Sequence, residues 1–526
     1  MTLTLPHRPL QTSYDYIVVG AGSGGCAVAR RLVDGSEATV LLIEAGDAGL
    51  DVAEIDDPRE WVPLGRSRWD WGYSYAPTPR INNRVIGIPR GKVLGGSSAI
   101  NALMWYRGHP LDYDAWDAAG APGWRFADSL PYFKRAEDWE GGETAFRGAG
   151  GPLRIETSKG LHPVARAMME GAGELGIPII DDPNGATNEG ATPSNFNISQ
   201  GKRWSAATGY IRPILGHERL TVLTGSLAIN LILENGRCVG VLHLVDGHPV
   251  ETRVTTHVVL ALGAIDTPRL LMLSGIGDPA ELKRLGIPVA ADLPGVGQNL
   301  QDHPLVQAIV CRSKQPLGPK TDNGGGTMLN WKSLPDLVQP DVHAFPVQGN
   351  SAEQTLRDRY DLSGEVFSLG AGLMHSKSVG YLRLLSAEPG GPLEIQPNFL
   401  AEPSDLEALV RACYTMMDLA ETQAFADLFD GFAAPRRRPS RADMVEFVRQ
   451  GCSTFFHTCG TAKMGEDALA VTDERLRVRG IDGLSIADAS VIPIIPTCNT
   501  HAPVTMIGER AADFLLGRSA ALAGTA

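Results

Sequence analysis

The chain has 526 residues, more than one ordinary hydrophobic core accommodates, so two domains sharing a cleft are expected. Hydrophobic residues at 43 % and charged residues at 20 % suit a folded globular enzyme, no apolar run reaches the roughly 18 residues of a membrane helix, and Met1 to Ser13 holds no signal-peptide core. The net charge of −13 is spread along the chain, and the densest basic run, Arg436-Arg437-Arg438 with Arg441 beside it, reads as a solvated loop and not as a nucleic-acid surface.

Seven cysteines stand at irregular spacings, with no close C-x-x-C pair and no Cys/His metal spacing. They read as reduced thiols of a cytoplasmic protein, and no metal site is expected.

In chain order, Tyr16 to Val19 is an apolar, β-branched run suited to a buried parallel strand. Gly20-Ala21-Gly22-Ser23-Gly24-Gly25 makes a turn, Cys26 to Val33 reads as a helix, and Thr39 to Ile43 is the next buried strand, ending at Glu44. Leu220 to Gly240 and Val250 to Leu262 read as strands. Leu282 to Leu285 belongs to a short helix, and Ser404 to Asp418 and Ala442 to Gln450 have helical spacing. Gln315 to Gly364 is the least regular stretch and is expected to face substrate. Val504 to Leu516 is a strong helix that begins just after Pro503.

The first of these units is a dinucleotide fingerprint. Gly20 permits a tight turn, Gly22 lets the backbone approach a pyrophosphate, and Gly25 lets helix and strand pack closely. The helix N-terminus offers free N–H groups to the phosphates. Glu44, nineteen residues after Gly25, stands where a carboxylate binds ribose hydroxyls and repels a 2′-phosphate, which disfavours NADP. The fingerprint alone does not separate FAD from NAD.

Three further stretches do. Gly91-Lys92-Val93-Leu94-Gly95-Gly96-Ser97-Ser98-Ala99-Ile100-Asn101 is followed by Tyr106, Gly108 and Asp114. Gly263-Ala264-Ile265-Asp266-Thr267-Pro268 runs on to Ser274-Gly275-Ile276-Gly277. His457-Thr458-Cys459-Gly460-Thr461 is followed by Asn499-Thr500-His501. With Pro294 to His303, Ser205-Ala206-Ala207, Gly480 to Leu484 and Ala487 to Ser490, this set resembles the glucose–methanol–choline (GMC) family of FAD-dependent oxidoreductases from about Tyr14 to about Phe514.

The resemblance implies an α/β (α+β overall) GMC oxidoreductase fold. A Rossmann-like FAD-binding domain would be formed by residues 14–155, 202–305 and 452–526. A discontinuous substrate-binding domain on an antiparallel sheet would be formed by 156–201 and 306–451. It also implies cofactor-binding roles: Val93, Asn101, Ala102, Leu103 and Met104 along the flavin, Gly95 and Gly96 close to the isoalloxazine and ribityl chain, and Ala228 at the adenine. Asp488 and Ala489 would meet the pyrophosphate and ribityl region, His501 would also reach the cofactor, and the helix after Pro503 would direct its positive end at the flavin pyrimidine edge. Some members tether FAD through a histidine two residues after the paired serines; Ile100 stands there, so FAD is expected to bind without a covalent link.

Alcohol oxidation needs a hydride acceptor and a base for the hydroxyl proton. His457 stands where the family places that base, and His501 where the resemblance puts a second histidine or asparagine that positions the hydroxyl; the reverse division between them stays open. His109, His162, His217, His243, His248, His257, His343 and His375 read as satisfied residues, and His303 as structural. Phe455 and Phe456 are expected to wall the reacting centre. Trp61, Trp69, Trp71 and Tyr73 either bind substrate or pack an entrance loop. The expected function is oxidation of a primary or secondary alcohol by hydride transfer to flavin N5, with electrons passed to oxygen to make hydrogen peroxide. The alternatives are a dehydrogenase with a quinone-type acceptor, a flavin-containing lyase of the hydroxynitrile type, and a light-driven decarboxylase. Substrate and oligomeric state are not legible.

Overall fold

Ser13–Val19 enters a sheet between two parallel neighbours, Val40–Ile43 and His248–Leu260, and its last four residues are buried, as a strand covered on both faces requires. These features come from a computed structural model that describes residues 3–5 and 9–518; residues 519–526, the end of the third segment expected for the FAD-binding domain, lie outside the described residues, as do 1, 2 and 6–8. The strands run in the order Leu3–Leu5, Leu220–Thr224, Val40–Ile43, Ser13–Val19, His248–Leu260, Arg237–Val245, Ala228–Glu234. Leu484–Ile486 pairs in parallel with the end of His248–Leu260. The strands read as Leu220 to Gly240 and Val250 to Leu262 resolve into Leu220–Thr224, parallel to Val40–Ile43, and an antiparallel meander of Ala228–Glu234, Arg237–Val245 and His248–Leu260.

Helix Ser23–Gly35 follows the first strand and crosses the C-terminal helix His501–Leu515. The crossing is as close as backbone allows: a Cβ on Gly24 would lie 2.0 Å from the Ala487 carbonyl oxygen, and one on Gly508 would lie 2.5 Å from that of Gly24. The C-terminal helix begins at His501, two residues before Pro503. A proline in the first turn gives up an N–H that has no helical partner there, so it does not mark the helix start.

The second sheet is antiparallel throughout, in the order Phe429–Ala434, Pro304–Ser313, Val366–Leu373, Val342–Val347, Thr327–Trp331, Gly190–Pro193. Helix Pro403–Ala420 packs against it. The stretch that reads as irregular, Gln315 to Gly364, contributes two of these strands and the helix Gln354–Arg359. Their neighbours bury both faces, so no period-two alternation marks them in the sequence. Cys452–Thr454 adds to the start of Pro304–Ser313 with Pro304 opposite Thr454, and the Phe455 amide donates to the His303 carbonyl at 3.0 Å. This register sets His303 beside His457.

Candidate active site

A cavity of about 1570 Å³ opens at the carboxyl ends of the parallel strands, where Val19, Gly20, Ile43 and Glu44 line it, and reaches Gln307 and Val347 of the antiparallel sheet. Gly22 is the cradle: a Cβ there would meet no protein atom closer than 3.8 Å and would project into space that a pyrophosphate needs. The helices beginning at Ser23 and His501 both lack a side-chain cap, and both N-termini line the cavity, so two positive dipole ends face it. Glu44 also lines it, its Oε2 accepting from the Ala21 amide at 3.1 Å and its Oε1 from that of Gly46 at 2.8 Å; burial raises its pKa to about 7.

The structure brings Gly20, Gly22, Glu44, Gly96, Asn101, Ala102, Met104, Ala228, Asp488, Ala489, His457 and His501 to this one cavity. Four expected residues do not line it. Gly25 lies beneath Gly20, and Gly95 backs onto Ala207. Val93 packs among Ile55, Leu64, Trp69 and Ile100, and Leu103 packs with Tyr106 and Phe196. These four shape the wall from behind. The Asp488 carboxylate is occupied within the fold: it accepts from the Gly263 amide at 3.0 Å, Thr267 Oγ1 at 2.6 Å and the Ser490 amide at 2.8 Å. It ties the last parallel strand to helix Gly263–Leu273, and burial raises its pKa.

The family stretches are laced to one another. Ser98 Oγ donates to the Gly95 carbonyl at 2.6 Å and accepts from the Ala206 amide at 2.9 Å. Buried Arg203 holds the carbonyls of Ile55, Ser98 and Asn101. Thr461 Oγ1 donates to the Ala264 carbonyl at 2.7 Å, and Gln301 pairs with Cys459 through backbone bonds in both directions.

His457 is the centre of the other end of the cavity. Its ring is buried and stacks on Phe455, with centroids 5.3 Å apart and planes 8° from parallel. Its Nε2 meets Asn499 Nδ2 at 3.0 Å, and its Nδ1 meets His303 Nδ1 at 2.8 Å. Asp302 clamps the pair. Its Oδ1 accepts the amides of both His303 and His457 at 2.8 Å, and its Oδ2 accepts from Tyr75 and Thr454, both at 2.5 Å.

His457 and His501 both line the cavity, and different neighbours hold them. His501 Nδ1 is bonded to Ser23 Oγ at 2.8 Å, its ring meets Trp105 edge to face, and Asn499, two residues earlier, reaches His457 instead. The physical reason is the helix start. His501 opens the C-terminal helix and its side chain lies against the neighbouring helix, while Asn499 stands in the loop before it and turns toward His457. Asn499 was legible only as the first residue of its motif. His303 carried no sequence signal beyond its place after Asp302, because its partner is 154 residues away.

Burial pushes His457 well below the usual histidine range, and His303, His343 and Arg90 add to the effect. Burial also lowers His303 and His343 to about 3 and His501 to about 4. All four imidazoles are therefore neutral at neutral pH. The entrance aromatics divide. Trp69 is buried, with its Nε1 on Glu54. Trp61, Trp71 and Tyr73 line the cavity, Trp61 donating to the Asn323 carbonyl at 2.8 Å and Tyr73 to Asp266. Among the described residues no Cys/His/Asp/Glu group could hold a metal, and no helix is long and apolar enough to cross a membrane.

A parallel sheet that carries the dinucleotide fingerprint, joined to an antiparallel sheet, with a buried histidine lining the cavity they share, is the make-up of an oxidoreductase of the flavoprotein type. The sequence patterns of the GMC oxidoreductase N- and C-terminal regions match residues 14–305 and 376–508, and the chain belongs to this family, as its signatures imply. It is 35 % identical to an oxygen-dependent choline dehydrogenase of Rhizobium etli, over 96 % of each chain. It is also 35 % identical to the mitochondrial choline dehydrogenase of Mus musculus, over 96 % of this chain and 90 % of that one. Among solved structures, pyridoxine 4-oxidase from Mesorbium loti superposes with a TM-score of 0.91 at 32 % identity, covering 95 % of this chain and 98 % of that one. Formate oxidase of Aspergillus oryzae superposes with 0.89 at 27 %, covering 98 % and 100 %.

Proposed function

We propose that this GMC oxidoreductase is a FAD-dependent alcohol oxidase in which Nε2 of His457 accepts the substrate hydroxyl proton. The observation that carries this reading is a buried, neutral His457 at the cavity that Gly22 and two uncapped helix ends prepare for a dinucleotide. When bound, FAD supplies the hydride acceptor at N5. Ile100, aliphatic and buried in the cavity wall, supports non-covalent binding. The two sheets support the division into a FAD-binding part (14–155, 202–305, 452–526) and a substrate-binding part (156–201, 306–451).

The tautomer of His457 follows from its partners. An amide nitrogen only donates, so the Nε2 lone pair accepts from Asn499, which itself lines the cavity. The ring proton is then on Nδ1 and is donated to Nδ1 of His303. His303 accepts it when its own proton is on Nε2. His303 is thus a positioning residue. An arriving hydroxyl takes the Nε2 lone pair, and the Asn499 amide turns to its oxygen. His501 serves the cofactor side, its Nε2 without a partner among the described residues.

Oxygen is the proposed acceptor, giving hydrogen peroxide; the names of the curated relatives favour a dehydrogenase as the second reading. The test is anaerobic mixing of the yellow protein with a panel of alcohols in the dark. Bleaching of the flavin band by an alcohol is the expected result, with colour and peroxide returning when air is admitted. Bleaching that air does not reverse favours the dehydrogenase. No bleaching by any alcohol, with cleavage of a cyanohydrin, would establish the lyase instead.

A further inference from the structure

A quaternary ammonium is held by aromatic faces and balanced by a carboxylate. The carboxylates that face this cavity are already committed. Glu44 and Asp488 hold backbone amides as described, Asp70 accepts the amides of Gly72 and Arg90, Asp266 is paired with Arg269 and Tyr73, and Glu353 is paired with Arg84 at 3.7 Å. The remaining one, Glu60, lies on the exposed outer turn beside Arg59.

Of the cations facing the same cavity, Arg59 and Arg269 are paired with Asp57 and Asp266, while three exposed ones are not paired. Arg66, Lys320 and Arg357 line it, are exposed, and have no carboxylate within ion-pair distance among the described residues. Arg357 is held in place by the Ala352 carbonyl, which accepts from its Nε at 2.7 Å. Three unpaired cations thus stand against one unpaired lining carboxylate, Glu60, among the described residues, and the field at this mouth is positive.

The wall near His457 is apolar. Phe455, stacked on His457, is backed by Leu305, Phe345 and Met374. Phe456 is turned outward by a left-handed backbone (φ 66°) and is 37 % exposed, and exposed Val62 and Val85 line the same cavity. A flat apolar body fits such a channel, and an exposed apolar rim marks a binding surface.

We propose, on the alcohol-oxidising reading above, that the substrate is an alcohol with a flat apolar body whose end remote from the hydroxyl is neutral or anionic, and that cationic alcohols such as choline are rejected. The relatives named as choline dehydrogenases match this chain over 96 % of its length, while the charge pattern of this cavity selects against a cationic alcohol.

A series of one shape and three charges tests this: 4-(hydroxymethyl)benzoate, 4-(hydroxymethyl)benzamide and 4-(trimethylammonio)benzyl alcohol, with choline alongside. Each is mixed anaerobically with the FAD-loaded protein, and the second-order rate of flavin bleaching is recorded. The benzoate and benzamide are expected to exceed both cations by at least ~10-fold. In Lys320→Glu/Arg357→Glu, checked for full FAD content, the benzoate-to-ammonium ratio is expected to fall by a further ~10-fold or more. An ammonium alcohol or choline that matches or outruns the benzamide in the unmodified protein overturns the proposal, whether or not the variant folds. If all four compounds and the wider alcohol panel leave the flavin oxidised, the alcohol reading itself falls, an outcome distinct from a wrong ranking.

Discussion

The two ends of the cavity are built by different means. The dinucleotide end is made of backbone: a glycine turn, two helix N-termini and a strand end, contributed by short contiguous segments and tolerant of side-chain identity wherever no Cβ intrudes. The histidine end is made of side chains from distant segments: Asp302 and one strand register hold His303 against His457, and Asn499 reaches His457 from the loop before the C-terminal helix. The first kind of site fails when atoms are added. The second fails when a hydrogen bond is removed.

The sharpest way to break the comparison is at Gly22. Gly22→Val fills the cradle and is expected to abolish FAD binding, leaving a colourless and inactive protein; a yellow variant with normal FAD content contradicts it. At the other end, His457→Ala is expected to keep FAD and lose at least ~10²-fold in the rate of flavin reduction, as removal of a general base does. Reduction at near the unmodified rate would remove His457 from that role.

Asn499 and His501 separate the two ends within three residues. Asn499→Ala is expected to slow flavin reduction by ~10-fold or more with FAD retained, whereas His501→Ala is expected to weaken FAD retention more than it slows the chemistry. Flavin reduction rates and FAD dissociation constants for the two variants decide it, and the reverse pattern would restore His501 as the partner of His457.

The smallest effects concern the tautomer and the proton. His303→Leu leaves the Nδ1 proton of His457 without an acceptor and is expected to slow flavin reduction several-fold, with partial recovery in His303→Asn, whose amide oxygen accepts. Equal losses in the two variants would reduce His303 to a packing residue. The pH profile has a definite sign. The neutral imidazole is the active form and burial lowers its pKa, so flavin reduction is expected to stay level as pH falls through about 6.5 and to decline only below it. An acid limb centred at or above that value contradicts the assignment.

Much of the fold was legible. The apolar run before Gly20, the glycine turn and Glu44 specify a strand, a helix start and a second strand by local chemistry alone, and the structure contains them. The family stretches marked the remaining wall, of which Asn101, Ala102, Met104, Ala228, Asp488 and Ala489 reach the cavity. The strands within Gln315 to Gly364 were hidden because a strand buried on both faces shows no alternation. Val93 and Leu103 were placed on the wrong side of the wall because side-chain direction in an irregular loop depends on dihedrals, as at Leu103 with φ 63°, that spacing does not encode.

The sequence by itself determined what kind of cavity this is and that His457 belongs to it, since those properties reside in contiguous residues whose conformational preferences are local. Only the tertiary structure decided which groups His457 touches. The register of Cys452–Thr454 against Pro304–Ser313 brings His303 to its Nδ1, and the helix start at His501 leaves Asn499 in the loop that reaches its Nε2. The charge facing the substrate was likewise decided by pairing, because a carboxylate counts toward binding only when no neighbour in space has already taken its oxygens.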